Sequence, residues 1–403
     1  MNSTVKKIVV ALSALVIAYV TTGYVLGRSS DDKSFRALTV YTEVLDKIQG
    51  QYVDEPNMRQ VTAGALHGLL DSLDPESAYM SPLEYKDYEE RSAKDYKGAA
   101  GVALTKRFGY IGVIAVEPDS PAQKAGLRTS DIIEKIAGFT TSQMGIDQAN
   151  LLLSGDPGST VQLSVIRRGK AEPQEMELTL AKLPPPKLLE ETIQGDIAYL
   201  RVESFPAGTT KQIREKLAQF DHQGAKKLIL DLRDCATGDD QEGISTAQLF
   251  LASGTIATLK GQTVTPVIYT AEPGRLAWVQ PMTVLIGNGT AGPAEIVAGA
   301  IGADKRGEVV GDRTYGTASM QKLIQLDDGA ALILTVANYY TPAGKEIPAD
   351  GVAPTVEVRP TADDIASMNE QGEAAGQLPS PDDPVVKKAI EILESSGAMR
   401  KAA

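Results

Sequence analysis

Cysteine is almost absent from this sequence: Cys235 is the one thiol among 403 residues. That excludes an internal disulfide and any Cys-rich metal centre. Positive charge is also short, with 40 Lys and Arg against 52 Asp and Glu and a formal net charge of -12. No basic face for nucleic acid is expected from such a balance. Histidine occurs only at His67, inside a helical pattern, and His222, in the turn-like DHQG. No HExxH pattern or EF-hand spacing surrounds Asp239, Asp240, Glu242 and Glu295, so neither a metal nor another cofactor is expected. The most telling shortage is local. GNGTAGPAE, residues 287 to 295, follows the apolar run MTVLI and has the glycines of a strand-to-helix elbow, yet it contains no Ser, Cys, His, Lys or Asp. No Lys-Ser or Lys-Thr pair follows it, which excludes a phosphate-binding loop.

What is present begins with a charge-free stretch over residues 8 to 27. About twenty helical residues span roughly 30 Å, the thickness of a hydrocarbon core. Lys6 and Lys7 precede the stretch, while Asp31 and Asp32 follow it. That bias predicts an anchor with its N-terminus inside and the bulk of the chain outside. A cleaved signal peptide is the rival reading, although no clear A-x-A site follows.

Residues 31 to 95 form a helical N-terminal region, with Ser81 and Pro82 starting its last helix. Residues 96 to 183 alternate short strands and turns around the helical IDQANLLLSG, and Pro184–Pro186 punctuate the exit. Residues 184 to 360 alternate candidate strands (DIAYLRVESF, KKLILDLR, PMTVLIGN, GEVVGDR) with the helices TTKQIREKLAQFDHQG and PAEIVAGAIGA, as an α/β core requires. Residues 361 to 403 read as a linker and a terminal helix, with Asp383 near its cap and Gly397 near its end. The expected fold class is a multidomain mixture of α+β and α/β parts.

Several ordered stretches resemble the carboxy-terminal processing proteases, peptidase family S41, whose members carry a PDZ domain. HGLLDSLDPESAYMSP is similar to that family's helical N-terminal region, GAAGVAL to the PDZ carboxylate-binding loop, and EPDSPAQKAGLRTSDII to a later PDZ segment. DGAALILTVANYYTPAGKEIPADGVAPTVEV is similar to the end of the protease core. The resemblance implies peptide-binding residues Gly98, Ala99, Ala100, Gly101 and Val102, where an extended peptide adds to a strand and backbone donors hold its terminal carboxylate.

It also implies a serine nucleophile at position 292 and a lysine base 25 residues later. This chain has Gly292 and Thr317, while Gln321 matches the family's supporting glutamine. Pro293 lacks the backbone N–H that the resemblance assigns to the oxyanion site. Thr237 and Gly238 stand where paired glycines are expected. Without an oxygen nucleophile and a nitrogen base, Ser–Lys acyl transfer has no reacting pair. The resulting expectation is a pseudoprotease in a bacterial inner membrane, with a single span and its bulk on the periplasmic side. It would bind peptide or protein C termini without cutting them. The alternatives are an active endopeptidase with another nucleophile or base, such as Cys235 or Ser319, and an oligomeric scaffold. A homo-oligomer through the helical region is a further expected partner.

Overall fold

A computed structural model of the chain describes residues 36–107, 109–167, 169–170, 172–359 and 382–402. The expected span at 8–27 and most of the expected linker at 361–381 lie outside the described residues. Among the described residues, no helix is long and apolar enough to cross a membrane. The chain divides into two compact units, residues 1–65 and residues 66–403. In the first, residues 36–51 are helical. The rest of the description concerns the second.

A six-stranded sheet carries the core, in the order Leu188–Ile193, Ile197–Val202, Lys227–Asp231, Met282–Ile286, Glu308–Gly311, Val356–Glu357. Its first pair is antiparallel and the others are parallel. IAYLRV and MTVLI are buried at every position. Such continuous runs suit central parallel strands covered on both faces. One face packs under helices Thr209–His222, Asp240–Ala247 and Pro293–Ala303, through residues such as Ile213, Leu217, Ile244, Ile296, Val297 and Ile301. The other face receives the C-terminal helix Pro384–Ala402, whose Val385, Val386, Ala389 and Leu393 meet Tyr199, Ile229, Leu285 and Val310. That helix runs past Gly397 rather than ending there. No left-handed glycine cap interrupts it.

A second, antiparallel sheet centres on Ala331–Tyr340, which pairs with Ala78–Met80, Thr255–Lys260 and Ser319–Gln325. The DPES turn is pinned to it. Asp74 Oδ1 accepts from the Ser77 amide at 2.8 Å and from the Thr335 hydroxyl at 3.0 Å.

Residues 98–180 form a separate antiparallel sheet of Val102–Arg107, Tyr110–Val116, Ile132–Ile136, Thr160–Ile166 and Gln174–Thr179. Helix Ile146–Leu152 belongs to the same apolar cluster as Ile111, Ile133 and Leu163. Val102–Arg107 is an edge strand of this sheet. Ala103, Ile114 and Ala115 pack on Ala291, just ahead of Gly292.

Candidate active site

The carboxyl ends of parallel strands are where α/β sheets expose their loops to ligands. Two such loops meet here. After Met282–Ile286 the chain turns through residues 287–292 into helix Pro293–Ala303, and after Lys227–Asp231 it runs through residues 232–239 into helix Asp240–Ala247. The Ala291 amide donates to the Cys235 carbonyl at 2.9 Å, which joins the two loops.

Gly292 is the N-cap of its helix at φ 55° and ψ -121°. L-residues rarely adopt that backbone, and holding one there costs about 1–3 kcal/mol. Glycine adopts it freely. Space is not the constraint: a Cβ would lie 4.0 Å from the Ala236 carbonyl oxygen and 4.0 Å from the Thr317 hydroxyl oxygen. Pro293 takes the first helical position, where its missing N–H leaves no helical bond unmade.

Glu295, fully buried, ties this elbow to the loop that carries Thr317. Its Oε2 accepts from the amides of Gly292 at 3.0 Å and Thr317 at 2.8 Å. Its Oε1 accepts from the Gly316 amide at 2.6 Å and from the Thr314 hydroxyl. Burial works to raise the carboxyl pKa, and these hydrogen bonds work to lower it. The Gly292 amide also donates to Thr317 Oγ1 at 3.1 Å. Gln321 donates from Nε2 to Ser319 Oγ at 2.8 Å and to Thr335 Oγ1 at 3.3 Å, so it supports the strand beside the loop.

A cleft of about 580 Å³ opens over this point and is lined by Ala236, Gly238, Gly292, Pro293, Thr317, Ser319 and Gln321. Leu104 and Ile114 of the 98–180 sheet border it. Asp240, grouped with Glu295 in the sequence analysis, lines it too, as do Glu76 and Tyr339, which no motif marks as companions of Gly292. Burial, then Asp74 and Asp147, push Glu76 up to about 7. Burial, then Asp239, push Asp240 up to about 6. The signal for Glu76 is its place in the Asp74 turn, which is pinned to strand Ala331–Tyr340.

Cys235 is 0 % exposed and is absent from the cleft lining. Burial pushes its thiol pKa far above the ordinary range, which disfavours the nucleophilic thiolate. His222 ends its helix on the exposed surface. The buried thiol and the exposed imidazole therefore form no Cys–His pair in the cleft. His67 is buried against the Tyr79 ring edge, with Nε2 3.4 Å from Glu84. Asp239 caps its helix by accepting from the Gln241 amide, and Glu242 accepts from the amides of Gly208 and Thr210. Among the described residues, no group of His, Cys, Asp or Glu has the arrangement to hold a metal ion.

In the 232–239 loop, Thr237 accepts from the Phe205 amide through its carbonyl at 2.9 Å. Gly238 sits at φ +129°, and a Cβ there would fall 2.4 Å from the Phe205 carbonyl oxygen. This single glycine is therefore required even without a partner glycine. In the expected peptide-terminus loop, Gly101 has φ +74°, and a Cβ would lie 2.3 Å from Ser120 Cβ. Gly98 and Ala99 pair with Gly155 and Ser154, and Val102 opens the edge strand. The Ala99 and Ala100 amides donate to the carbonyls of Ala181 and Leu153, both at 2.9 Å. Those two donors are thus engaged within the fold.

The model of peptidase family S41 matches residues 196–358, and the PDZ domain model matches residues 98–180. The PDZ match supports binding of a peptide or protein C terminus. A carboxy-terminal-processing protease of Bartonella bacilliformis is 30% identical over 335 residues, covering 82% of this chain and 77% of the relative. A carboxyl-terminal-processing protease of Synechocystis is 30% identical over 359 residues, covering 87% of this chain and 82% of the relative. The photosystem II D1 C-terminal processing protease shares the fold, with a TM-score of 0.65 at 24% identity over 80% of this chain and 92% of that one.

These relatives are named as processing proteases, which overturns the expectation of a pseudoprotease that binds without cutting. They favour its alternative, proteolysis with a non-standard nucleophile or base. Gly292 and Thr317 remove one route to acyl transfer and not every route. With this identity spread over most of both chains, the protein belongs to the carboxy-terminal-processing proteases of peptidase family S41.

Proposed function

We propose that the protein is a peptidase that hydrolyses bonds near the C termini of protein substrates, with the Thr317 hydroxyl as nucleophile in place of the missing serine. The observation that carries this reading is the likeness to named processing proteases along most of the chain. Thr317 is supported as the attacking group by its place in the cleft, 4.0 Å from where a Gly292 Cβ would stand. Its oxygen accepts the Gly292 N–H, which leaves its own hydrogen to be removed.

Thr317 Oγ would add to the scissile carbonyl carbon as its proton passes to a cleft carboxylate, Glu76 or Asp240. Both carboxyls are lifted toward neutrality, where a general base works best. Collapse of the adduct breaks the C–N bond, and the amine leaves with a proton from the same carboxyl. Water then hydrolyses the ester and regenerates the hydroxyl. Pro293 offers no N–H to the oxyanion. Where that donor is used, losing it costs about 10²–10³-fold in rate.

The test is incubation of the full chain with peptides ending in apolar residues, with fragments read by mass spectrometry. Thr317→Ala abolishes cleavage, and Thr317→Ser retains it. No cleavage by the wild-type chain, or equal cleavage by Thr317→Ala, defeats the proposal.

A further inference from the structure

We infer that the C-terminal helix braces the reaction centre, and that Arg233 is the positioning residue through which it does so. The inference rests on the peptidase reading for its catalytic part. Arg233 and Asp383 are 150 residues apart in sequence, yet Arg233 Nη1 donates to Asp383 Oδ2 at 2.5 Å. The same guanidinium donates to Asp231 from Nη2 at 2.6 Å and from Nε at 3.0 Å. Asp231 and Asp383 are 0% and 1% exposed. Buried carboxylates need partners, and the guanidinium supplies one for each.

The two oxygens of Asp383 do different work. Oδ1 caps the helix by accepting from the amides of Val385 at 2.8 Å and Val386 at 3.3 Å. Oδ2 holds Arg233. Apolar packing of Val385, Val386, Ala389 and Leu393 would dock the helix without any charge, and an asparagine would cap it as well. The ion pair with Arg233 therefore goes beyond what capping and docking require.

From Arg233 the turn runs straight to the elbow. The Arg233 amide donates to Asp231 Oδ1 at 2.9 Å, which fixes the turn just after strand Lys227–Asp231. Leu232 O accepts from the Thr290 hydroxyl at 2.8 Å, and Cys235 O accepts from the Ala291 amide at 2.9 Å. Thr290 and Ala291 are the two residues before Gly292, and Ala236 forms the cleft wall opposite it. A continuous path of hydrogen bonds and one turn of chain thus joins the helix cap to the cleft. Tyr199 completes the cluster by donating to Asp231 Oδ2 at 2.6 Å.

The experiment compares the full chain with Asp383→Asn and Asp383→Ala by hydrogen–deuterium exchange and by peptide-cleavage kinetics. Asp383→Asn keeps the cap and removes the charge. Exchange at residues 232–238 and 289–292 rises by about tenfold or more, as expected for a local loosening. Cleavage falls in kcat by about tenfold with KM unchanged, since an interaction that orients reacting groups is lost while ground-state binding remains. Wild-type exchange in both segments for Asp383→Asn, with only Asp383→Ala impaired, would mean that the helix cap alone matters and would overturn the inference. If the wild-type chain cleaves nothing, the peptidase reading fails and exchange alone decides the positioning role. If Asp383→Asn does not fold, Arg233→Lys decides by the same exchange measurement, because it keeps the charge and loses the fork.

Discussion

The Gly292 amide donates at once to Glu295 Oε2 at 3.0 Å and to Thr317 Oγ1 at 3.1 Å. One backbone hydrogen therefore joins the elbow, its buried carboxylate and the facing loop. The arrangement holds the elbow's shape whatever residue performs the chemistry.

That shape predicts a cost for any side chain at the elbow. Gly292→Ala lowers the unfolding free energy by about 1–3 kcal/mol through backbone strain alone, since a Cβ there meets only ordinary contacts. Urea denaturation measures it. An unchanged midpoint and slope would show that the φ 55° conformation carries no strain.

Glu295 receives three amides and a hydroxyl. Glu295→Gln replaces an acceptor oxygen with an NH₂ group that faces N–H donors. The variant loses on the order of 2–3 kcal/mol or more, because buried donors are left unsatisfied. Calorimetric melting of the two proteins at one pH tests this, and equal melting temperatures would refute it.

Stability should also depend on pH through the cleft. Glu76 is raised from 4.5 to about 7. The native state then keeps a proton that the unfolded chain releases above its own pKa. Stability from this group is complete below about pH 4.5 and is lost as pH rises through about 7. Asp240 acts with the same sign between 3.8 and about 6. Glu76→Gln flattens the decline between pH 4.5 and 7 by about 1–3 kcal/mol after allowance for solvent screening. Unfolding midpoints across that range supply the check, and a variant with an undiminished slope would remove Glu76 as its source.

Cys235 is expected to be inert. A thiol-alkylating reagent leaves the native chain unmodified, and Cys235→Ala reduces stability by about 1–2 kcal/mol without changing cleavage. Mass spectrometry of the treated native protein decides the first point. Rapid labelling accompanied by loss of turnover would return the thiol to the mechanism.

Much of this architecture is legible because its core strands are buried on both sides. MTVLI and IAYLRV announce themselves as continuous apolar runs, and PAEIVAGAIGA carries Pro at its first turn. The strand Ser319–Gln325 is harder to see, because Lys322 and Leu323 are exposed and its pattern is mixed. Ala78–Met80 is shorter still, and it is a strand only because Ala331–Ile333 lies beside it. At the site, Gly292, Thr317 and Gln321 could be located from motif spacing. Glu76 could not, since the tertiary fold alone brings it to Gly292, and Asp240 stands out only as one of a run of carboxylates. Cys235 was ambiguous for a related reason: its neighbourhood in sequence is the cleft loop, while its side chain turns into the core.

The Ser77 hydroxyl accepts from the Thr335 amide across 258 residues of chain, at 3.1 Å. The segment that completes the central antiparallel sheet is thus made early in synthesis, and its partner emerges near the end. Long-range pairings of this kind close slowly. A nascent polypeptide stalled before position 331 would expose an unmatched β-edge on the ribosome, which makes this seam a natural place for chaperone engagement during translation.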